Sequence, residues 1–156
     1  MSKTVPPYPT GRQLLAGKTV LLTAAAGTGI GFATAKRCVE EGAFVILSDR
    51  HERRLGEAAD ALTKAMGERP PTVVCDVTDP AQIDQMFAAA IAARGHLDVL
   101  INNAGLGGTA RVVDMTDEQW DRVLDVTLTS AFRCTRAALR HMLPRGSGAI
   151  VNNASV

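Results

Sequence analysis

Three glycines, Gly27, Gly29 and Gly31, follow a short apolar run in the segment Thr23-Ala-Ala-Ala-Gly27-Thr28-Gly29-Ile30-Gly31. Alternating glycines between a strand and a helix leave backbone N–H groups and the positive helix end free to face a pyrophosphate. Gly27 and Gly29, with Thr28 and Ile30 beside them, allow the turn and a close approach, and Gly31 lets helix and strand pack tightly. Small residues also serve any tight strand-to-helix turn, so the loop alone leaves both readings open. Two acids tilt the balance. Asp49 stands twenty positions after Gly29, at the end of the second apolar run, where a carboxylate accepts from ribose hydroxyls. A carboxylate there repels a 2′-phosphate and favours NAD, while the adjacent Arg50 keeps NADP as an alternative. Asp76, after the third run, is placed to meet an adenine amino group, with Val77 against the ring. Turn and capping chemistry is the plainer use of both acids.

The elements that must position these residues are readable from hydropathy. Apolar runs at Thr19-Val-Leu-Leu22, Phe44-Val-Ile-Leu47, Thr72-Val-Val-Cys75, Val99-Leu-Ile101 and Ala149-Ile-Val151 are continuous, as in strands buried on both faces of a parallel sheet. Helical stretches separate them. Gly31 to Glu41 follows the first run, and Glu52 to Met66 lines up Leu55, Ala58, Ala59 and Leu62. Asp79-Pro80-Ala81-Gln82 and Thr116-Asp-Glu-Gln119 carry start signals. The second opens one long helix towards Met142, which Pro144 and Gly146 then end. Such alternation with short connections predicts right-handed βαβ units in a Rossmann-type, doubly wound α/β sheet with helices on both faces. Residues 1–14 read as a flexible lead-in and 15–156 as the nucleotide-binding domain. A complete sheet of this kind has six strands and five are readable, so the chain is expected to be the N-terminal portion of a longer protein.

Composition narrows the class. The 156 residues are 46% hydrophobic and 21% charged, a globular balance with one core's worth of chain. A net charge of +1 predicts no nucleic-acid and no membrane-surface partner. Cys38, Cys75 and Cys134 lie in apolar runs and read as buried thiols of a reducing, cytoplasmic setting. His51, His96 and His141 lack metal-ligand spacing, so no metal is expected. Trp120 reads as helix packing, and Arg53 and Arg54 as a solvated face near the adenosine.

The phosphate loop, Cys75-Asp76-Val77, Leu97-Asp98-Val-Leu-Ile-Asn102-Asn103-Ala104-Gly105 and Gly148-Ala-Ile-Val-Asn-Asn-Ala-Ser155 resemble, in order, the motifs of the short-chain dehydrogenase/reductase family. The resemblance runs from about Leu15 to Val156. It implies an oxidoreductase moving a hydride between a nicotinamide cofactor and a hydroxyl- or ketone-bearing small molecule. It implies that Asn103, Ala104 and Gly105 stabilise the sheet and line the nicotinamide side. Ser155 matches the catalytic serine that holds the substrate oxygen. The wording is similar to actinobacterial members that act on acyl-CoA or steroid-ring breakdown intermediates. A homodimer or homotetramer of the full-length protein, built on the long helix, is implied in the same way.

Three departures stand out. Ala24 replaces the usual glycine, and the loop is one residue longer than the common form. Thr127 stands where the family has the asparagine that holds a water of the proton relay. The family's Tyr-x-x-x-Lys acid/base pair has no counterpart, since the one tyrosine is Tyr8. The chain alone is therefore expected to be inactive. Two other classes remain: a non-catalytic nucleotide-binding or dimerisation fragment, and an S-adenosylmethionine-dependent methyltransferase. The latter has no use for Asn-Asn-Ala-Gly and expects an acid where Leu22 and Thr23 stand.

Overall fold

A computed structural model describes residues 6–108 and 110–154. Five parallel strands, β1 (Thr19–Leu22), β2 (Phe44–Asp49), β3 (Thr72–Val74), β4 (Val99–Asn102) and β5 (Ala149–Asn152), form one sheet in the order β3-β2-β1-β4-β5. The helices are α1 (Ile30–Glu40), α2 (Glu52–Met66), α3 (Pro80–Arg94), α4 (Asp117–Leu124) and α5 (Ser130–Arg145). The strand order reverses beside β1, so a crevice opens between the carboxyl ends of β1 and β4.

The α/β expectation holds, and the strand positions with it. The expectation of burial on both faces holds only for the inner strands. β1 is buried throughout and β2 along its middle, whereas β3 and β5 are edges, with Val74 and Val151 about half exposed. Two apolar layers flank the sheet. Val20, Leu22, Val45 and Leu47 pack with Ala35, Leu55, Ala59 and Leu62 of α1 and α2 on one face. Leu21, Ile46 and Leu100 pack with Ile83, Met86, Cys134 and Ala138 of α3 and α5 on the other. All three cysteines are buried, and burial pushes the Cys75 thiol to about 11 and the Cys134 thiol to about 12.

Both capped starts form as their residues dictate. The Asp79 carboxylate accepts from Ala81 N and Gln82 N, and Thr116 closes a capping box with Gln119. The single long helix is corrected: residues Asp125–Thr129 make a π turn between α4 and α5. There the Thr127 and Ser130 hydroxyls donate to the carbonyls of Val123 and Val126, which loosens the regular ladder. Pro144 sits inside the last turn, and Gly146, at φ 62°, ends the helix. Trp120, expected in the packing, is 56% exposed. Residues 8–14 are tied to α1: the Tyr8 hydroxyl donates to Glu40, and Glu41 accepts from Arg12 N and Leu14 N. Those two amides hold the Glu41 carboxyl below the usual carboxylate range, with the Arg37 guanidinium assisting.

Candidate active site

The site begins with α1's unblocked N-terminus. Gly29 is its N-cap, no side chain caps it, and its first turn carries no acid. Its orphan N–H groups and dipole are therefore available to an anion, unlike those of α3 and α4. A side chain at Gly29 would meet no protein atom within 4 Å, so the open space there belongs to whatever approaches the loop. Gly31 is the opposite case. A Cβ there would collide with the Ala24 carbonyl oxygen and lie 2.7 Å from Asn103 Nδ2. The lengthened loop turns through two left-handed residues, Ala24 at φ 51° and Gly27 at φ 86°. Ala24 thus adopts a conformation that glycine takes freely, at the steric cost that shape imposes on a residue with a Cβ.

Polar side chains on neighbouring strands lock the loop to the sheet. The Thr23 hydroxyl accepts from Asn103 N at 3.0 Å and Ala104 N at 3.1 Å. Asn103 Nδ2 donates to Ala24 O at 3.0 Å, and Asn153 Nδ2 donates to Asn103 Oδ1 at 2.7 Å. One residue earlier, Asn102 Nδ2 donates to Asn152 Oδ1 at 2.8 Å and to the Thr135 hydroxyl at 3.2 Å. Two asparagine pairs therefore cross the β4–β5 boundary. The ties of Thr23, Asn152 and Asn153 are not readable from local sequence, because these partners lie 50 or more residues apart in the chain. The repeated Asn-Asn after two strands was the available signal.

Asp49 bridges two turns. Its carboxylate accepts from Ala26 N at 3.2 Å and from His51 N at 3.0 Å, which joins the glycine loop to the start of α2. Each carboxylate oxygen keeps a second acceptor position. Asp76 accepts the backbone N–H and the hydroxyl of Thr78, at 3.0 and 2.8 Å, both on Oδ1. These bonds hold its carboxyl below the usual range, and Arg50 adds to the effect. Asp49, Arg50, Asp76, Val77, Ala104 and Gly105 share a cavity of about 200 Å³ with Ala24, His51, Cys75, Leu106 and Val126. Gly27, Thr28, Gly29, Ile30 and Gly31 lie on the adjoining loop and helix start, with Ile30 66% exposed. Arg54 rises from α2 so that its Nη2 is 3.0 Å from where a Gly27 Cβ would stand.

Thr127 is not among the residues lining this cavity. Its hydroxyl donates to Val123 O, and its methyl stands 3.5 Å from a Cβ placed on Gly105. Ser155 lies outside the described residues. Among the described residues no cluster of three His, Cys, Asp or Glu side chains could hold a metal ion. No described helix is long and apolar enough to cross a membrane.

Comparison with known proteins agrees with this arrangement. The family model for short chain dehydrogenases matches residues 18–156. A (5R,7aS)-5-hydroxy-7a-methyl-1-oxo-2,3,5,6,7,7a-hexahydro-1H-indene-carboxyl-CoA reductase of Mycobacterium tuberculosis is 61% identical over 148 residues, covering 94% of this chain and 56% of that protein. A short chain dehydrogenase of Mycobacterium smegmatis superposes with a TM-score of 0.90 at 58% identity, over 97% of this chain and 63% of that one. The L-sorbose reductase of Gluconobacter frateurii, solved with NADPH and L-sorbose, gives a TM-score of 0.83 at 34% identity, over 92% and 54% of the two chains. The chain thus spans a little over half the length of the curated relatives it matches. With the loop, the two strand-end carboxylates and the asparagine ties in family order, the chain belongs to the short chain dehydrogenase family of oxidoreductases.

Proposed function

We propose that the cavity and loop bind a nicotinamide dinucleotide, and that the protein transfers a hydride between it and a small alcohol or ketone. The observation that carries this reading is the uncapped α1 N-terminus at Gly29, together with the Asp49 and Asp76 carboxylates that line one cavity. The loop amides and helix end would take the pyrophosphate, Asp49 the ribose hydroxyls, Asp76 and Val77 the adenine, and Asn103–Gly105 the nicotinamide side. A bound nicotinamide supplies or accepts the hydride. Ser155 is proposed to hold the substrate oxygen, and Thr127 to stand at the relay position with its hydroxyl turned towards Val123.

The substrate proposed is an acyl-CoA or steroid-derived ketone, in line with the indene-carboxyl-CoA reductase that is 61% identical. NAD is the proposed cofactor, because Asp49 places a negative charge where NADP carries its phosphate; Arg50 and Arg54 keep NADP as the alternative. The protein is proposed to work in the cytoplasm. A homodimer or homotetramer is proposed to form along the α4–α5 helix. Its first half carries Asp117, Glu118 and Asp121 beside Arg122, and its second Arg136 and Arg140. Leu128, Phe132, Leu139 and Leu143 are exposed beside them. An antiparallel second copy would match these charges, and sedimentation showing monomer alone would remove this part of the proposal.

The acid/base pair of the resembled enzymes is absent from the 156 residues. Tyr8 bonds Glu40 at the far end of α1, about 15 Å from its glycine end. The proposed outcome is dinucleotide binding by this chain without ketone-dependent oxidation of NADH. Fluorescence titration with NADH and NADPH, followed by assay with a keto-acyl-CoA, tests each step. Tighter NADPH binding overturns the role given to Asp49; turnover by the chain overturns the need for an outside acid.

A further inference from the structure

We propose that Arg133 is a positioning residue for the adenine pocket: one guanidinium nitrogen joins the pocket's two separately built walls. The inference rests on the nucleotide reading above. One wall, Cys75 to Val77, leaves the end of β3, an edge strand of three residues. The other includes Val126, carried by the π turn between α4 and α5. Arg133 Nη1 donates to Thr78 O at 2.8 Å and to Asp125 Oδ1 at 3.1 Å, so it grips the first wall's loop and the first residue of the π turn together. Among the described residues, no other hydrogen bond links residues 75–79 to the α4–α5 helix.

The connection continues to the recognition group. Thr78 holds Asp76 through its backbone N–H and its hydroxyl, both on Oδ1. Asp76 Oδ2 has no hydrogen-bond partner among the described residues. It is the oxygen left to accept from an adenine amino group. Moving Thr78 therefore turns the carboxylate that reads the base. Arg133 is about one-quarter exposed, so its ionic bonds are only partly screened by water. The geometry assigns it an effect on base discrimination rather than on the reacting end of the ligand.

The test is calorimetric titration with ADP-ribose and with its hypoxanthine counterpart, which carries a carbonyl where adenine has its amino group. Wild type is expected to favour ADP-ribose. Arg133→Met is expected to weaken ADP-ribose roughly five- to tenfold, the order of one lost charge-assisted bond, and the hypoxanthine ligand by less than about twofold. Arg133→Lys should recover part of the preference. Asp125→Asn, which keeps the guanidinium and leaves α5 intact, should lower it by about twofold if Arg133→Met does not fold. Equal losses for both ligands, or none, overturn the inference while leaving nucleotide binding in place. Failure of wild type to bind either ligand removes the nucleotide reading and the inference with it.

Discussion

The two ends of the sheet are both polar, and they differ in what their polar groups still lack. At the amino ends, Asp98 Oδ2 accepts from Thr19 N at 2.9 Å and Oδ1 from Arg145 Nη2 at 3.1 Å, with His96 Nε2 3.2 Å from Oδ2. Arg145 Nη1 also donates to Leu97 O, and Leu97 N donates to His141. Every strong group there meets a partner from the same chain. At the carboxyl ends, the asparagine pairs are equally closed, but the α1 amides, Asp49 and Asp76 Oδ2 keep unused capacity. A polar cluster that satisfies itself is a fastener; one that stops short of doing so is set for a ligand.

Three experiments break or sharpen that contrast. The largest effect is expected from the two glycines of the open end. Gly31→Ala forces a Cβ against Ala24 O and Asn103, so it should destabilise by about 1–3 kcal/mol and weaken ADP-ribose binding more than about tenfold. Gly29→Ala meets no protein atom and should leave the urea midpoint unchanged, yet still weaken ADP-ribose. If both variants lose stability equally, the open end is a structural turn and the contrast fails.

At the closed end the readouts should exchange. Asp98→Ala strips Thr19 N and Arg145 of their acceptor and should cost about 2–3 kcal/mol in urea unfolding. ADP-ribose affinity, measured in the same samples, should stay within about twofold of wild type if the two ends are separate. A larger loss would show that the amino end reaches the site.

The smallest effect concerns pH. Burial raises the Asp98 carboxyl, but the Thr19 N–H, Arg145 and His96 outweigh it and hold the group below its usual value. A carboxyl lowered on folding contributes stability above its unfolded value of about 3.9 and loses it as pH falls through the folded value. Asp98→Asn should therefore lie below wild type from pH 5 to 7, and the gap should close below about pH 4. A gap that stays constant down to pH 2 would mean that the charge of Asp98 contributes nothing.

How much of this was legible depends on distance along the chain. The short apolar runs, the Asp79-Pro80 start and the Thr116–Gln119 box act over a few residues, and they appear where their types put them. The glycine turn between β1 and α1 was legible for the same reason. The π turn was not, because hydropathy sees an uninterrupted helix through Asp125–Thr129 while two hydroxyls bond back into the ladder. Nor was the Trp120 exposure, since the residue's size does not reveal that α4 buries none of its side chains.

By itself, then, the order of residues determined the elements, their caps and the glycines of the turn between β1 and α1. Propensity, capping and steric exclusion all operate between near neighbours. Tertiary structure decided which asparagines faced one another across β4 and β5, and that Arg133 would reach Thr78, 55 residues away. Those outcomes need the sheet to close first. Only then do polar groups distant in the chain come within hydrogen-bond reach, and the ones left without a partner mark the site.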